Sequence, residues 1–234
     1  MNSETRIRAS ADDTQIIVRR SRRARTLRLR VDPRTASIIL TIPPHVTERR
    51  ARAWADSQRQ WIEARLAEIP DFQAIAPGAT LPLYGQPRLL VHQAGTARTV
   101  RIEATRIVTG GPLDGVQNRM LRWLRKHALE LLSEDTAEFA AKAGVAVPRV
   151  GVGDPVSRWG SCSASGSIRY SWRLILAPEW VRRATVAHEV AHCVHLNHGP
   201  AFHRLVAQLL GADPAPARAW LRREGASLHR FGRV

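Results

Sequence analysis

Apolar and polar residues alternate near the N-terminus in a pattern that predicts short β-strands. Residues 26–31 (TLRLRV) alternate apolar and basic side chains, and residues 37–42 (SIILTI) carry apolar side chains at every second position. Side chains two apart in a strand point to the same face of the sheet. The two segments therefore predict a β-hairpin, and residues 16–18 (IIV) predict a third strand beside it.

The spacing of the apolar residues then changes to a helical period, and later it returns to the alternation that is typical of strands. Apolar residues at three- and four-residue spacing predict a helix over about residues 47–66, with Thr47 as its N-cap. Residues 75–85 contain two prolines and two glycines and predict a linker. Residues 88–92 and 99–107 alternate once more and predict strands. These segments predict a β-rich N-terminal module with one helix over residues 1–110.

Gly110-Gly111-Pro112 marks the predicted boundary with a second domain, residues 111–234. A repeat of apolar residues at three to four positions predicts a long helix from Asp114 to about Lys142, with Gly144 as its C-cap. Strands are predicted over Val145–Val152 and Ile168–Leu176. A further helix is predicted to open at Pro178, and the chain is expected to end in a short helix packed by Trp220 and a basic tail. Most such tails are unstructured, and a few contact anionic partners.

The helix that opens at Pro178 carries a metal-binding motif. Val186, Val190 and Val194 repeat every four residues, which predicts a helix that continues to residues 197–200 (NHGP). Within this helix, residues 188–192 read HEVAH, an H-E-x-x-H sequence. Residues four apart lie on one helical face, so His188 and His192 are predicted to bind the same ion. Glu189 is placed beside them to take a proton from water.

The third metal ligand is expected after the end of this helix. A catalytic zinc ion usually has three protein ligands and one position for water. His195 shares the face of the other two histidines, but seven helical residues span about 10 Å, too far for one ion. His198 is the first candidate, because Gly199-Pro200 lets the chain fold back over the site. His203 and a carboxylate from elsewhere in the chain remain alternatives.

Three linked motifs surround the metal-binding sequence. Residues 158–163 read RWGSCS, residues 171–178 read SWRLILAP, and residues 197–202 read NHGPAF. In this order they resemble the YgjP-like metallopeptidase family, which is related to the SprT-like zinc proteases. The resemblance covers residues 148–210 closely and the N-terminal half more loosely. Two positions depart from the family pattern, which usually has Trp at the position of His203 and Asn at that of Ser171.

The resemblance implies an α+β fold in which a zincin-like metallopeptidase domain follows the β-rich module. Such a domain combines a long helix, a small sheet and the H-E-x-x-H helix. The family pattern also implies Zn²⁺ as the cofactor, with His188, His192 and His198 as its ligands. Glu189 would be the catalytic acid and base. The departure at His203 keeps that residue among the candidates for contact with the site.

The charge of the chain is strongly positive, with 36 basic against 20 acidic residues and a net charge of +16. Nearly all of this charge is arginine, whose planar guanidinium group binds phosphate in a bidentate manner. Residues 19–30, here called the arginine-rich segment, predict contact with nucleic acid or another polyanion. Protection of an exposed strand edge is the alternative interpretation. The segment contains Arg19, Arg20, Arg22, Arg23, Arg25, Arg28 and Arg30.

Cysteine content and hydropathy indicate in which compartment the protein is expected. Two cysteines, Cys162 and Cys193, are too few for a disulfide framework and are expected to be buried free thiols. The first 13 residues contain acids and no apolar stretch, so no secretory signal is expected. No stretch approaches the ~20 apolar residues that a membrane helix needs. We therefore expect a cytoplasmic protein without a membrane partner.

The chemistry of the motif favours a zinc-dependent metallohydrolase that acts as a metalloendopeptidase on peptide or protein substrates. Zinc would activate the water and Glu189 would be the general base. In this case the strand Ile168–Leu176 is expected to be an edge strand that pairs with extended peptide. The candidates for contact with the substrate or transition state are Tyr170, Arg158, His195 and His203.

Two other functions are compatible with the sequence. A metal-dependent nucleoside triphosphate diphosphatase would use the same histidines, with arginines binding phosphate. The sequence lacks the carboxylate cluster that Mg²⁺ sites usually contain, which weighs against it. The other alternative is a nucleic-acid-binding protein with a structural metal site. Structural zinc sites have four ligands and would leave Glu189 without a role.

Overall fold

The computed structural model describes residues 4–7, 16–32, 35–69 and 71–232. These residues form helices and three small sheets, so the protein is of mixed α+β class. The chain divides into two compact units. The first ends at Asp71 and the second covers Phe72–Gly232. No helix among the described residues combines the length and the hydropathy that crossing a membrane requires.

The first unit contains the predicted hairpin. Its strands are β1 (Glu4–Ile7), β2 (Ile16–Arg20), β3 (Arg28–Asp32) and β4 (Ser37–Ile42), in the sheet order β1-β2-β4-β3. The strands β3 and β4 are antiparallel, as predicted, whereas β2 pairs with β4 in parallel. The strand β4 is buried along most of its length because it has a neighbour on each side. The strand β3 lies at an edge of the sheet.

Helices α1 (Glu48–Ser57) and α2 (Arg59–Ala67) replace the single helix predicted for residues 47–66. The side chain of Thr47 accepts a hydrogen bond of 3.3 Å from the backbone N–H of Arg50, which confirms the predicted N-cap. Ala51 and Ala55 of α1 are buried against apolar residues of β2 and β4. The apolar face predicted for this segment thus covers the sheet of the first unit.

The second unit begins with another four-stranded sheet. Its strands are β5 (Thr80–Leu83), β6 (Gln86–His92), β7 (Val100–Ile102) and β8 (Arg106–Thr109), in the order β5-β6-β8-β7. The segment 75–85 is not a linker, because it forms β5 and buries Ile75, Leu81 and Leu83. The strand predicted over residues 99–107 is divided into β7 and β8, which pair in an antiparallel manner.

The division into compact units differs from the predicted boundary between residues 110 and 111. Leu81, Leu83 and Leu90 belong to the same buried core as the helices that follow. In addition, the backbone N–H of Tyr84 donates a hydrogen bond of 2.7 Å to the carbonyl of Ile175. The β5–β8 sheet is therefore part of the second unit, a long-range association that composition along the chain does not reveal.

The core of the second unit is built around α3 (Val116–Ala143), which a short 3₁₀ helix at Leu113–Gly115 precedes. Gly144 ends α3 in the left-handed region with φ of 67°, as its predicted role as C-cap requires. A three-stranded sheet follows, formed by β9 (Val150–Gly153), β10 (Gly160–Cys162) and β11 (Ile168–Ser171) in the order β10-β11-β9.

The position of β11 corrects one prediction. The strand ends at Ser171, and Trp172–Leu176 form a 3₁₀ helix. Because β11 pairs with β10 on one side and with β9 on the other, it is the central strand and has no free edge. The edge strand next to the helix that carries the H-E-x-x-H motif is β10, which the sequence pattern does not predict.

Three helices complete the second unit: α4 (Glu179–Ala191), α5 (Pro200–Leu210) and α6 (Ala215–Leu228). The segment after α6 is packed up to Gly232 and is not an unstructured tail. Phe231 is buried and forms an isolated bridge with Gln73. The helix predicted around Trp220 is confirmed, with Trp220 packed against the core.

A buried arginine joins this C-terminal segment to the rest of the unit. Arg173 is 0% exposed, and its Nε and Nη2 atoms donate to the carboxylate of Asp154 at 2.7 and 3.1 Å. Its Nη1 atom donates to the carbonyls of Leu228 and Phe231, both at 2.7 Å. Such a network fixes the geometry of three segments, because a buried guanidinium needs every one of these partners.

Candidate metal centre

Three histidines converge at the end of α4. One ring nitrogen from each of His188, His192 and His198 lies within 4.8 Å of the others. The Nε2 atoms of His188 and His198 are 3.2 Å apart. Of the described residues, these three form the one cluster of possible metal ligands of this size. The structure therefore brings together the three residues that the sequence singles out.

The helix that carries the motif is shorter than predicted. It ends at Ala191, with His192 as its C-cap, and Val194 is 45% exposed. His195 is therefore not part of the helix, and its side chain lies outside the ligand cluster. Instead, Nδ1 of His192 donates a hydrogen bond of 3.1 Å to the backbone carbonyl of His195. This bond leaves Nε2 of His192 free to bind a metal ion.

A phenylalanine orients all three imidazole rings. Phe202, in the first turn of α5, is 0% exposed. Its ring centroid lies 4.9 Å from that of His188, 4.6 Å from that of His192 and 4.7 Å from that of His198. Packing of this kind restricts the rotation of the rings and holds their nitrogens in position.

The donor set fits a zinc ion. Zinc binds histidine nitrogen at about 2.0–2.1 Å, so two nitrogens of a tetrahedral site lie about 3.3 Å apart. The 3.2 Å between the nitrogens of His188 and His198 matches this separation. Two ring nitrogens at this distance gain little from each other unless a proton or a cation lies between them. His188, His192 and His198 would hold such an ion.

Glu189 lies beside the three histidines with its carboxylate buried. The residue is 5% exposed, and its Oε2 atom has no hydrogen-bond partner among the described residues. A buried carboxylate oxygen without a partner is costly, and it commonly marks a catalytic or ligand-binding role. The backbone N–H of Cys162 donates a hydrogen bond to this side chain, which leaves the other oxygen available for chemistry.

The segment 158–163 packs tightly against Glu189. A Cβ atom added to Gly160 would lie 2.5–2.7 Å from atoms of the Glu189 side chain, which is closer than real contacts allow. Gly160 is the first residue of β10, so the edge strand and the carboxylate are in direct contact. On the other side of this segment, Trp159 packs onto Gly225 of α6, where a Cβ atom would lie 2.7 Å from the indole ring. The two glycines explain how the segment fits between α4 and α6.

Burial shifts the pKa values of Glu189 and of two of the three histidines. Burial raises the pKa of Glu189 to about 7, although the charge of Arg158 and the Cys162 N–H oppose the shift. Burial, together with the charges of His192 and His198, lowers the pKa of His188 to about 4. Burial also lowers the pKa of His198. Neutral imidazoles bind metal without first losing a proton, and a carboxyl group with a pKa near neutrality exchanges its proton readily at pH 7.

The structure separates the candidates for substrate contact. Tyr170 is 0% exposed, and its hydroxyl bonds to that of Thr136 at 3.0 Å, so it is directed at α3 and not open to a substrate. His195 contributes its backbone carbonyl, as described above. His203 is exposed on α5, with its ring centroid 6.4 Å from that of His198. Arg158 is exposed and lines a cavity together with His188 and Glu189.

The two cysteines lie close to the site but outside the ligand cluster. Both are free and partly buried, and their Sγ atoms are 3.8 Å apart. Burial raises the pKa of Cys162 to about 12. Neither Sγ atom belongs to the cluster of possible ligands that the three histidines form. The expectation of free thiols is confirmed, although neither is completely buried.

Two contributors to this site are not identified by sequence reasoning. Phe202 belongs to one of the three linked motifs, and its own signal is its position two residues after Pro200, at the start of an apolar helix face. Arg218, in the first turn of α6, lines the same cavity as Arg158, and its positive charge contributes to lowering the pKa of His188. No local pattern identifies Arg218, because α6 reaches the site only through tertiary packing.

Fold and site together define an α+β protein in which three histidines converge at the end of an H-E-x-x-H helix. The YgjP-like metallopeptidase domain model matches residues 25–224, and the chain belongs to this family. Membership indicates a metal-dependent peptidase. Neither the curated proteins nor the solved structures contain a match to the chain.

Proposed function

We propose that the protein is a zinc-dependent metalloendopeptidase. The observation that supports this most strongly is the convergence of His188, His192 and His198 beside the buried carboxylate of Glu189. Three histidine ligands leave one coordination position for the reaction, which is the arrangement of catalytic zinc sites. A zinc ion held there would supply Lewis acidity, polarising a carbonyl and lowering the pKa of water from ~15.7 towards ~7.

Glu189 is the general base of this proposal. Its carboxylate accepts a proton from the water that attacks the peptide carbonyl carbon, and it returns that proton to the amine nitrogen as the C–N bond breaks. Its unpartnered Oε2 atom is available for this transfer. Arg158 and His203 are the candidates to donate hydrogen bonds to the developing oxyanion, because both have exposed side chains near the site.

The edge strand β10 supports a peptide as the substrate. An extended peptide can add to a free strand edge through backbone hydrogen bonds, independently of its side chains. Because Gly160 contacts Glu189, a peptide paired with β10 would pass directly beside the carboxylate. In this proposal, Gly160–Cys162 takes the role expected for the strand Ile168–Leu176.

The variant Glu189→Gln tests this mechanism. Glutamine keeps the size of the side chain and is not a zinc ligand here, so zinc content and melting temperature should be retained. General acid–base catalysis contributes about 10²–10⁴-fold, so peptide hydrolysis should fall by at least about 100-fold. The measurements are turnover of casein and of a DNA-bound protein by zinc-loaded wild type and variant, with zinc determined by elemental analysis.

Nucleoside triphosphates are assayed alongside these substrates. Hydrolysis of triphosphates but of no peptide would replace the proposal with a nucleotide hydrolase. Undiminished peptide hydrolysis by Glu189→Gln would contradict the role of Glu189. Absence of hydrolysis in both proteins, with zinc bound, would favour a structural metal site.

A further inference from the structure

A cavity of about 280 Å³ opens next to His188 and Glu189. Its walls are largely apolar and come from α4, α5, α6 and the segment before β10. Ala184, Val206 and Ala217 are buried in these walls. Two guanidinium groups, those of Arg158 and Arg218, also line the cavity. The pocket thus combines an apolar interior with two positive charges beside the proposed catalytic carboxylate.

Neither arginine is neutralised within the part of the chain that the structure describes. Both are exposed, and no ion pair joins either one to a carboxylate there. Glu189 is the one carboxylate among the residues lining the cavity. Arg158 also lines a neighbouring groove of about 570 Å³ along the three-stranded sheet, to which Arg149 and Arg169 contribute and no acidic residue does. The cavity and the groove that shares Arg158 with it therefore both carry basic side chains.

The size of the cavity limits what it can hold. Pockets for drug-sized ligands measure about 300–1,000 Å³, so this cavity, at about 280 Å³, lies just below that range. It suits the side chain of one residue better than a nucleotide with its base, sugar and phosphates. An aliphatic chain that ends in a carboxylate matches both the apolar walls and the guanidinium groups, since arginine binds carboxylates in a bidentate manner.

We propose that this pocket binds the side chain of an acidic residue next to the scissile peptide bond, with Arg218 as the residue that determines specificity. The inference rests on the proposed peptidase function. Arg158 also adds to the positive charge of the pocket, but its guanidinium group lowers the pKa of Glu189 as well. Arg218 is therefore the better position for a test, because its charge lowers the pKa of His188 but leaves the surroundings of the Glu189 carboxylate in place.

The test compares peptides that differ only in one side-chain group, a carboxylate or its neutral amide. Acetylated and amidated peptides carry Glu or Gln at each position that flanks the cleaved bond, and zinc-loaded full-length protein is assayed for kcat/KM. A hydrogen bond to a charged group strengthens binding by about tenfold. The kcat/KM for the Glu peptide should therefore exceed that for the Gln peptide by about the same factor. Arg218→Ala should bring the ratio close to one through KM, and Arg218→Glu should bring it below one, because the new carboxylate repels the Glu side chain. Arg222→Ala, an exposed arginine on the same helix outside the cavity, should keep the ratio of wild type.

Binding gives a second readout that does not depend on turnover. Dissociation constants of the Glu and Gln peptides are measured with zinc-loaded Glu189→Gln, with and without Arg218→Ala, and should show the same preference. Peptide hydrolysis with equal kcat/KM for Glu and Gln would overturn the inference and leave the proposed function standing. A preference seen only for peptides with a free C-terminal carboxylate would also overturn it, because the pocket would then bind chain ends. No peptide hydrolysis by wild type would contradict the proposed function itself.

Discussion

Arginines serve different purposes in the two compact units. In the second unit, Arg173 and Arg182 are buried and bind carboxylates, with Arg182 Nε 2.7 Å from Asp135. In the arginine-rich segment of the first unit, Arg22, Arg23 and Arg25 are exposed and have no ion pair among the described residues. The arginines that make the sequence basic therefore do not all have the same structural role. Buried arginines bind carboxylates within the second unit, whereas these exposed arginines of the first unit leave their charge unpaired among the described residues.

The arginine-rich segment itself is not uniform. Arg20 donates hydrogen bonds from Nη1 to the carbonyls of Pro43, Pro44 and Val46, at 3.1–3.2 Å. This arginine secures the turn after β4 and is a structural residue, although the sequence groups it with its neighbours. Arg28 and Arg30 are exposed on the edge strand β3, where charge also prevents pairing with other strands. The number of arginines in the segment therefore overstates how many are available to a polyanion.

The largest effect is expected at the metal ligands of the second unit. His198→Ala removes one of three proposed ligands and should lower zinc affinity by more than about 100-fold, since substitutions of outer partners alone cost 10–100-fold. His195→Ala should retain zinc, because His195 acts through its backbone carbonyl. Elemental analysis after dialysis against a weak chelator measures both. Full zinc occupancy in His198→Ala would transfer the third position to another residue, with His203 as the next candidate.

The next largest effect concerns a buried arginine. Arg173→Met leaves the carboxylate of Asp154 and two backbone carbonyls without their donor, and breaking a buried pair in this way costs about 3 kcal/mol or more. Arg22→Met, in the first unit, should change the free energy of unfolding by less than about 0.5 kcal/mol. Urea denaturation of both variants provides the comparison. Equal stability of the two would show that the Arg173 network does not support the fold.

A smaller effect is expected from crowding Glu189. Gly160→Ala would place a methyl group against the Glu189 side chain and displace the carboxylate, and a displacement of about 1 Å can lower activity about 100-fold. Gly151→Ala, in β9 of the same sheet, meets no atom within 4 Å and should behave like wild type. Peptide hydrolysis and zinc content are measured for both. Wild-type activity of Gly160→Ala would show that Glu189 tolerates displacement or is not the base.

Local signals in the sequence predict the elements that depend on few distant contacts. The β3–β4 hairpin follows from alternation, and the end of α3 follows from a single glycine, Gly144, with positive φ. The three histidines can be identified because the H-E-x-x-H spacing and the turn at Gly199-Pro200 are encoded within a short stretch. In these places a short stretch of sequence carries the signal on which the prediction depends.

Long-range contacts account for most of what the sequence does not predict. The edge strand of the site is β10 because β9 pairs with β11 in parallel across a connection that no periodicity describes. The helix α4 ends at Ala191 although Val194 continues its apolar repeat, because His192 bonds to the carbonyl of His195 in a turn. Arg218 lines the cavity only because α6 packs beside α4.

The smallest effect is expected for the exposed arginines of the first unit, and it bears on the hypothesis that they bind nucleic acid. Replacing four of them by serine should leave zinc content and stability unchanged, because none makes an ion pair with a described residue. If they bind duplex DNA, the slope of log K against log salt should become shallower by about 0.9 for each phosphate that is no longer neutralised. The four are Arg22, Arg23, Arg25 and Arg28, with Arg20 kept for its bonds to the turn after β4.

A matched variant separates a local binding surface from net charge. It replaces four exposed arginines of the second unit by serine and so changes the net charge by the same amount: Arg122, Arg125, Arg204 and Arg222. Binding to a fluorescent duplex is measured across a salt series for both variants and wild type. A change of slope in the first variant alone supports a binding surface on the first unit. Equal changes in both would assign the affinity to overall charge, and no change in the first would leave Arg28 and its neighbours as protection of the β3 edge.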